Sequence, residues 1–212
     1  MYGRAPASSI TKTDGAIPEP GYIASRPLPT LPALIIQAAE KGIVEQIKPY
    51  AGPQERHMLP ELFVPDVLSA DDDRLWVPNG PNRWSRPLCL NLSQGYWVHL
   101  TRFRGRGFLS RHRHPAPVHA YVIKGSWRYL ERDWVARAGS YLYETPGDIH
   151  TLVVDEDQDE MITLFQNHGA ITYYREDGGV EKVVDAFYYA NLAEAHFEQV
   201  GLGRDFVKHF IR

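Results

Sequence analysis

Between Trp76 and Tyr174 the chain is a succession of short segments rich in Val, Ile, Leu, Tyr and Trp, each cut off by Gly, Pro, Asn or Asp. YWVHLTRF, HAYVIKG, SWRYLE, DWVARAG, SYLYE, IHTLVV and MITLFQNHG follow one another at this close spacing. Short strand-like runs bounded by turn residues indicate an antiparallel sandwich or barrel. The fold class expected is therefore mainly β.

The flanks read differently. Residues 1–30 are rich in Pro, Gly, Ser and Thr without an apolar period and read as an extended arm. Residues 31–75 read as a helix followed by loops: Leu34, Ile35, Ala38, Ala39 and Ile43 recur at helical spacing, interrupted by Gly42 and stopped by Pro49, Gly52 and Pro53. Residues 76–212 read as the β-rich domain closed by a C-terminal helix near Asp185 to Val200. Leu192, Ala195, His196, Gln199 and Val200 are expected on one face of that helix, with Gly201 as its stop.

With 212 residues, 43% hydrophobic, 23% charged and a net charge of −3, the chain has the balance of a soluble globular domain. No apolar run approaches the roughly 20 residues that span a bilayer, so no membrane partner is expected. The N-terminus lacks the apolar core of a secretory signal. A cytoplasmic protein with a disordered arm is expected, an organellar transit peptide being the competing reading because Arg4, Lys12 and three serines precede few acids. The single Cys89, in LCLNL, excludes a disulfide framework and reads as a small buried residue. Arg102 and Arg104 alternate with Thr101 and Phe103, as a solvated strand face would, so the local arginines do not make a nucleic-acid stripe. The acidic run from Asp155 to Glu160 lacks the glycine and terminal glutamate of a calcium loop and reads as a solvated turn.

Chemistry concentrates in GFLSRHRHPAPVHAYVIKG. His112 and His114 stand two apart on a strand-like segment and so share a face. An HxH pair alone is a weak sign of metal. A later His150, three residues after the Pro146–Gly147 turn, supplies a third imidazole.

Gly107, His112, His114 and Gly125, followed by Gly139, Gly147 and His150, resemble the two motifs of the cupins, with the proline of the second displaced to Pro146. Where many cupins carry a glutamate ligand, this chain has Val118 or His119. Val118 cannot bind metal. A three-histidine site is therefore expected, with His119 lining it or buried and hydrogen-bonded, and with a net charge of +2 that favours an anionic, chelating substrate. WVPNGPNRW, the block from Arg111 to Val154 and MITLFQNHGAITYYREDGG are similar to the 2,4'-dihydroxyacetophenone dioxygenase family of ChrR-like cupins, over about residues 55 to 205. The resemblance implies a cupin jelly-roll β-barrel, non-haem Fe(II) on the equivalents of His112, His114 and His150, and oxidative C–C cleavage of an aryl hydroxyketone.

Three imidazoles on Fe(II) leave positions open for a bidentate 2-hydroxyketone and O₂, and cleavage would give an aromatic acid and formate. Glu144, six residues before His150 and expected on the same face as Leu142, is the candidate proton acceptor; the competing reading is a surface carboxylate. Tyr121, Trp127, Tyr129, Trp134, Tyr141 and Tyr143 supply core and pocket aromatics. Zinc, manganese or nickel also tolerate imidazole, so a metal-dependent isomerase or lyase stands as the second enzymatic reading. A zinc sensor of the ChrR type is the non-enzymatic one, although its additional Cys- and His-bearing helical domain is not expected in a sequence whose one cysteine is Cys89. A homo-oligomer is expected.

Overall fold

Each Gly- or Pro-bearing break ends a strand, and the resulting segments pair antiparallel into two six-stranded sheets. The computed structural model describes residues 48–68, 72–155 and 158–212. The helix read over 31–47 and the extended arm lie outside them. The chain divides into two compact units, residues 1–58 and 59–212, and all the elements that follow belong to the second. No helix among the described residues is long and apolar enough to cross a membrane.

The strands are β1 (Val77–Pro78), β2 (Arg83–Asn91), β3 (Tyr96–Arg104), β4 (Gly107–Arg113), β5 (Val118–Lys124) and β6 (Ser126–Tyr129). They continue as β7 (Ala136–Arg137), β8 (Tyr141–Glu144), β9 (Ile149–Val154), β10 (Glu160–His168), β11 (Ile171–Tyr174) and β12 (Val180–Val184). One sheet has the order β1-β2-β3-β10-β5-β8 and the other β12-β11-β4-β9-β6-β7. Strands adjacent in space are thus often remote in sequence, as a jelly roll requires. The inner faces meet around Phe103, Val118, Val122, Trp127, Leu152 and Met161, all buried in one cluster. Burying such residues contributes about 1.5–3 kcal/mol each.

A second cluster joins Leu90 and Trp97 to helix α1 (Ala186–Gln199), through Ala186, Tyr189, Ala190, Ala193 and Phe197. Asp185 caps the helix by accepting from the backbone N–H of Tyr188 at 2.8 Å. The helix ends as expected, with Gly201 at φ 79°, but its buried stripe is not the one read from the sequence. Of the residues expected on that face, Leu192 packs at the edge of the cluster while Ala195 and Gln199 are exposed; the buried stripe is Ala186, Tyr189, Ala190, Ala193 and Phe197. Small alanines at i+4 and i+7 let the helix approach the sheet closely, while Tyr189 and Phe197 supply the volume.

Two other expectations change. Arg102 does point away from the barrel interior, but it is buried rather than solvated. Its guanidinium lies 4.3 Å from the Trp76 ring centroid and 5.0 Å from that of Trp84, and it donates to Asp73 at 3.2 Å. Trp76, Leu100 and Ile162 form a third cluster here, with Val67 and Trp84 packed on it, so part of this sheet is covered on both faces. Arg104 is exposed, as read, and pairs with Glu160 at 3.0 Å. Cys89 is half-buried rather than buried.

Two motif glycines differ in what they tolerate. Gly125 has φ +71°, and a Cβ there would stand 2.5 Å from the Glu160 carbonyl oxygen and 3.1 Å from Met161 Cα. Gly139, at φ +90°, would meet nothing within 4 Å. Gly125→Ala is therefore expected to cost about 2–4 kcal/mol, from left-handed strain and backbone overpacking. Gly139→Ala should cost about 1 kcal/mol, from strain alone. Urea denaturation of the two variants checks the difference; equal losses would contradict the packing described at Gly125.

Candidate metal centre

Strand pairing brings the three histidines together. In the β4–β9 ladder His112 lies directly opposite His150, and alternation then places His114 on the same face two residues on. The backbone of His114 is fixed by its carbonyl, which accepts from Gly147 N–H at 2.8 Å. One turn therefore serves both ends of the constellation. A bulge between Phe108 and Ser110 resets the alternation of β4, so Phe108 is exposed while Ser110, His112 and His114 face inward.

Glu144, the last residue of β8, enters the same cluster. Its neighbours on the strand alternate as the sequence suggested, Tyr141 and Tyr143 exposed and Leu142 half-buried, and Glu144 itself is only 5% exposed. His112, His114, Glu144 and His150 each offer one donor atom, all within 4.8 Å of one another. His150 Nε2 stands 3.2 Å from His112 Nε2. Glu144 Oε2 stands 3.2 Å from His114 Nε2 and 3.6 Å from His150 Nε2, yet meets no aligned donor. Nitrogens bound at about 2.1 Å to one ion, at right angles, stand about 3 Å apart. The donor set thus fits a divalent cation, and the orphaned carboxylate oxygen fits it too. The expected lack of a carboxylate holds for β5 only: β8 brings one in, from a residue assigned above to proton transfer.

The environment keeps the imidazoles neutral, the form that binds metal. Burial pushes His114 down to about 3, with His150 adding repulsion. His112 lies well below the usual range for the same reason, with both other histidines contributing. Burial also lowers His150, outweighing the opposing pull of Asp148. Burial raises Glu144 to about 7, although the hydrogen bond from Tyr129 opposes the shift.

Supporting groups hold these side chains in place. Tyr129 OH donates to Glu144 Oε1 at 2.6 Å, and its ring stacks on His150 with centroids 3.9 Å apart and planes 14° from parallel. Asp148 Oδ2 lies 3.3 Å from His150 Nδ1 and accepts from Arg132 at 2.6 Å. Ser110 Oγ lies 3.2 Å from His112 Nδ1. Such partners fix ring orientation and tautomer. Asp148 was missed in the sequence, although it stands two residues before His150 on the turn; Tyr129 was read only as a generic aromatic. His119 is not brought to the cluster. It points to the other face of β5, where its Nδ1 meets Tyr141 OH at 2.8 Å, because β5 buries Val118 and Ala120 instead. It neither lines the site nor is buried.

The cluster borders a cavity of about 50 Å³, lined also by His99, Thr101, Phe165, Asn167 and Tyr173. His99 stacks between Phe165 and Tyr189 and is held at about 3 by burial.

Two predictions follow from this arrangement. His112→Ala, His114→Ala and His150→Ala should each lose most bound metal, while His119→Ala keeps it and Asp148→Asn weakens it by about 10–100-fold; elemental analysis after dialysis is the check. The second concerns pH. His99 and His114 titrate near 3 when folded and near 6.5 when unfolded, so between those values the unfolded chain holds more protons and acid favours unfolding. Glu144, near 7 folded and 4.5 unfolded, has the opposite sign, and its contribution is lost as pH rises through 7. Imidazoles outnumber the carboxyl. The metal-free protein should therefore melt highest near pH 6.5 and lose stability on acidification; a melting temperature still rising toward pH 5 would contradict the assignment.

Comparison with known proteins agrees with this architecture. An RmlC-like cupin from Ralstonia eutropha JMP134 is 26% identical, with a TM-score of 0.57 over 59% of this chain and 83% of its own. A second protein of that organism, of unknown function and cupin-like fold, is 27% identical, with a TM-score of 0.55 over 57% and 75%. An acetylacetone dioxygenase from Acinetobacter johnsonii shares the fold at 16% identity, with a TM-score of 0.57 over 69% and 99%. No curated protein sequence matches the chain. The profile of the ChrR cupin-like domain family matches residues 64–172, just over half of the 212-residue chain, and with the barrel that frames the four donors this makes the protein a member of that family.

Proposed function

We propose that this protein is a non-haem Fe(II) dioxygenase that cleaves an aryl 2-hydroxyketone between its carbonyl and carbinol carbons. One O₂ is consumed per ketone, and each product, an aromatic acid and formate, takes up one of its oxygen atoms. The observation that carries the proposal is the convergence of three buried imidazoles and one buried carboxylate at a single point inside the barrel. The sequence resemblance to 2,4'-dihydroxyacetophenone dioxygenases supports it, and the A. johnsonii neighbour, by name a dioxygenase, supports it at the level of fold.

His112, His114 and His150 would hold the ion, with Glu144 beside them. Ferrous iron there would supply Lewis acidity toward the carbonyl and hydroxyl oxygens of the substrate and electrons for O₂. The protein's own groups do the rest. Glu144, whose Oε2 has no hydrogen-bond partner, can accept the carbinol proton there and return it to a product. Tyr129, donating to Oε1, leaves Oε2 turned toward His114 and His150. Leu152, Phe165 and Ile171 give the cavity an apolar wall. Asp148 keeps His150 turned toward the ion.

Iron-loaded protein should consume O₂ with 2-hydroxyacetophenone and release benzoate and formate in equal amounts, read with an oxygen electrode and by product mass. Conversion without oxygen uptake would overturn the proposal in favour of an isomerase or lyase. Glu144→Gln should keep its iron while turnover per iron falls by about 10²–10⁴. Loss of iron instead would make Glu144 a fourth ligand.

A further inference from the structure

A second cavity, about 470 Å³, lies against the outside of the first. Asn79, Arg83, Ser110 and Tyr173 border both, so the two cavities adjoin at these residues. The inner cavity, at about 50 Å³, is well short of the roughly 150 Å³ that encloses a benzene ring. It has room for two chelating oxygens and O₂ but not for an aryl group. The outer vestibule has that room, and Phe108, Tyr174 and Tyr188 give it aromatic walls.

Its charge is unbalanced. Arg111 and Lys182 line it, and among the described residues Glu181 is the one carboxylate beside them. Arg111 and Lys182 are half-buried, and among the described residues neither is ion-paired with a carboxylate. Lys182 Nζ lies 5.1 Å from the ring centroid of Tyr173, the residue that borders both cavities. Cations partly withdrawn from water and lacking a counter-ion favour an anionic guest, and a charge-assisted hydrogen bond to a carboxylate is about twice as strong as a neutral one.

We propose that the vestibule receives the aromatic body of the substrate, and that Arg111 and Lys182 pair with an acidic group on its ring. The substrate class is then an aryl ketone bearing a ring carboxylate. This rests on the hydroxyketone assignment for the metal centre and narrows it.

The test is isothermal titration of metal-free protein with 4-acetylbenzoate and with its neutral counterpart 4-acetylbenzamide. The carboxylate should bind about tenfold tighter, with an advantage that shrinks as salt is added. The double variant Arg111→Gln/Lys182→Gln should lose that advantage and still bind the amide, its fold checked by circular dichroism. Equal affinities in the unsubstituted protein, or a preference that survives the double substitution, would overturn the proposal. Because the titration needs neither metal nor oxygen, it reads the vestibule separately from the chemistry: a charge preference with no oxygen uptake sinks the dioxygenase assignment and leaves the vestibule standing.

Discussion

The register of β4 against β9 is the constraint from which the rest of the site follows. His112 and His150 are cross-strand partners, so their side chains must leave the sheet on one face and meet. Their Nε2 atoms, 3.2 Å apart, can share at most one proton. Placing two imidazoles so close inside a barrel disfavours charge on either, which is why the pair rests neutral and open to a cation. A slip of one residue would turn both strands' patterns against each other, so the hydrophobic pattern that builds the core also maintains the site.

Around this pair the groups are arranged in order of what each must resist. Glu144 would be expelled from an apolar interior if ionised without partners; Tyr129 holds one of its oxygens and at the same time stacks on His150. His150 is held from the other side by Asp148, itself held by Arg132. The chain of contacts runs from a half-exposed arginine to the most buried of the imidazoles. Ring orientation is thereby set from outside the barrel, not only by packing within it.

Much of this was legible in the sequence, and the parts that were not have physical reasons. Period-two segments with Gly and Pro breaks marked the β domain, and the shared face of His112 and His114 needed only strand geometry. The position of Glu144 on the face of Leu142 was likewise a matter of alternation. Its neighbour was not: which residues stand opposite one another across sheets, such as Tyr129 beside Glu144, depends on long-range pairing that no local pattern carries. The proline pair around Pro115–Pro117 left the facing of His119 undetermined, and the pairing of β5 with β8 and β10 settles it outward. The stripe of α1 was misjudged because alanine carries little hydrophobic signal, yet it is what lets a helix sit close to a sheet. Arg102 looked solvated because alternation gives a side chain's direction but not what covers it; Trp76 and Trp84 do.

The bulge in β4 has a consequence for how the chain tolerates length changes. Upstream of it, Gly107 and Phe108 follow one parity; downstream, Ser110, His112 and His114 follow the other. The bulge can be gained or lost to absorb a residue added or removed before Ser110, leaving the ladder with β9 intact. Between Ser110 and His114 there is no such slack. A single deletion there would exchange the faces, sending an imidazole to solvent and a guanidinium toward the core. The loop that follows Arg104 thus tolerates a change in length, while the five consecutive residues after the bulge are locked in count.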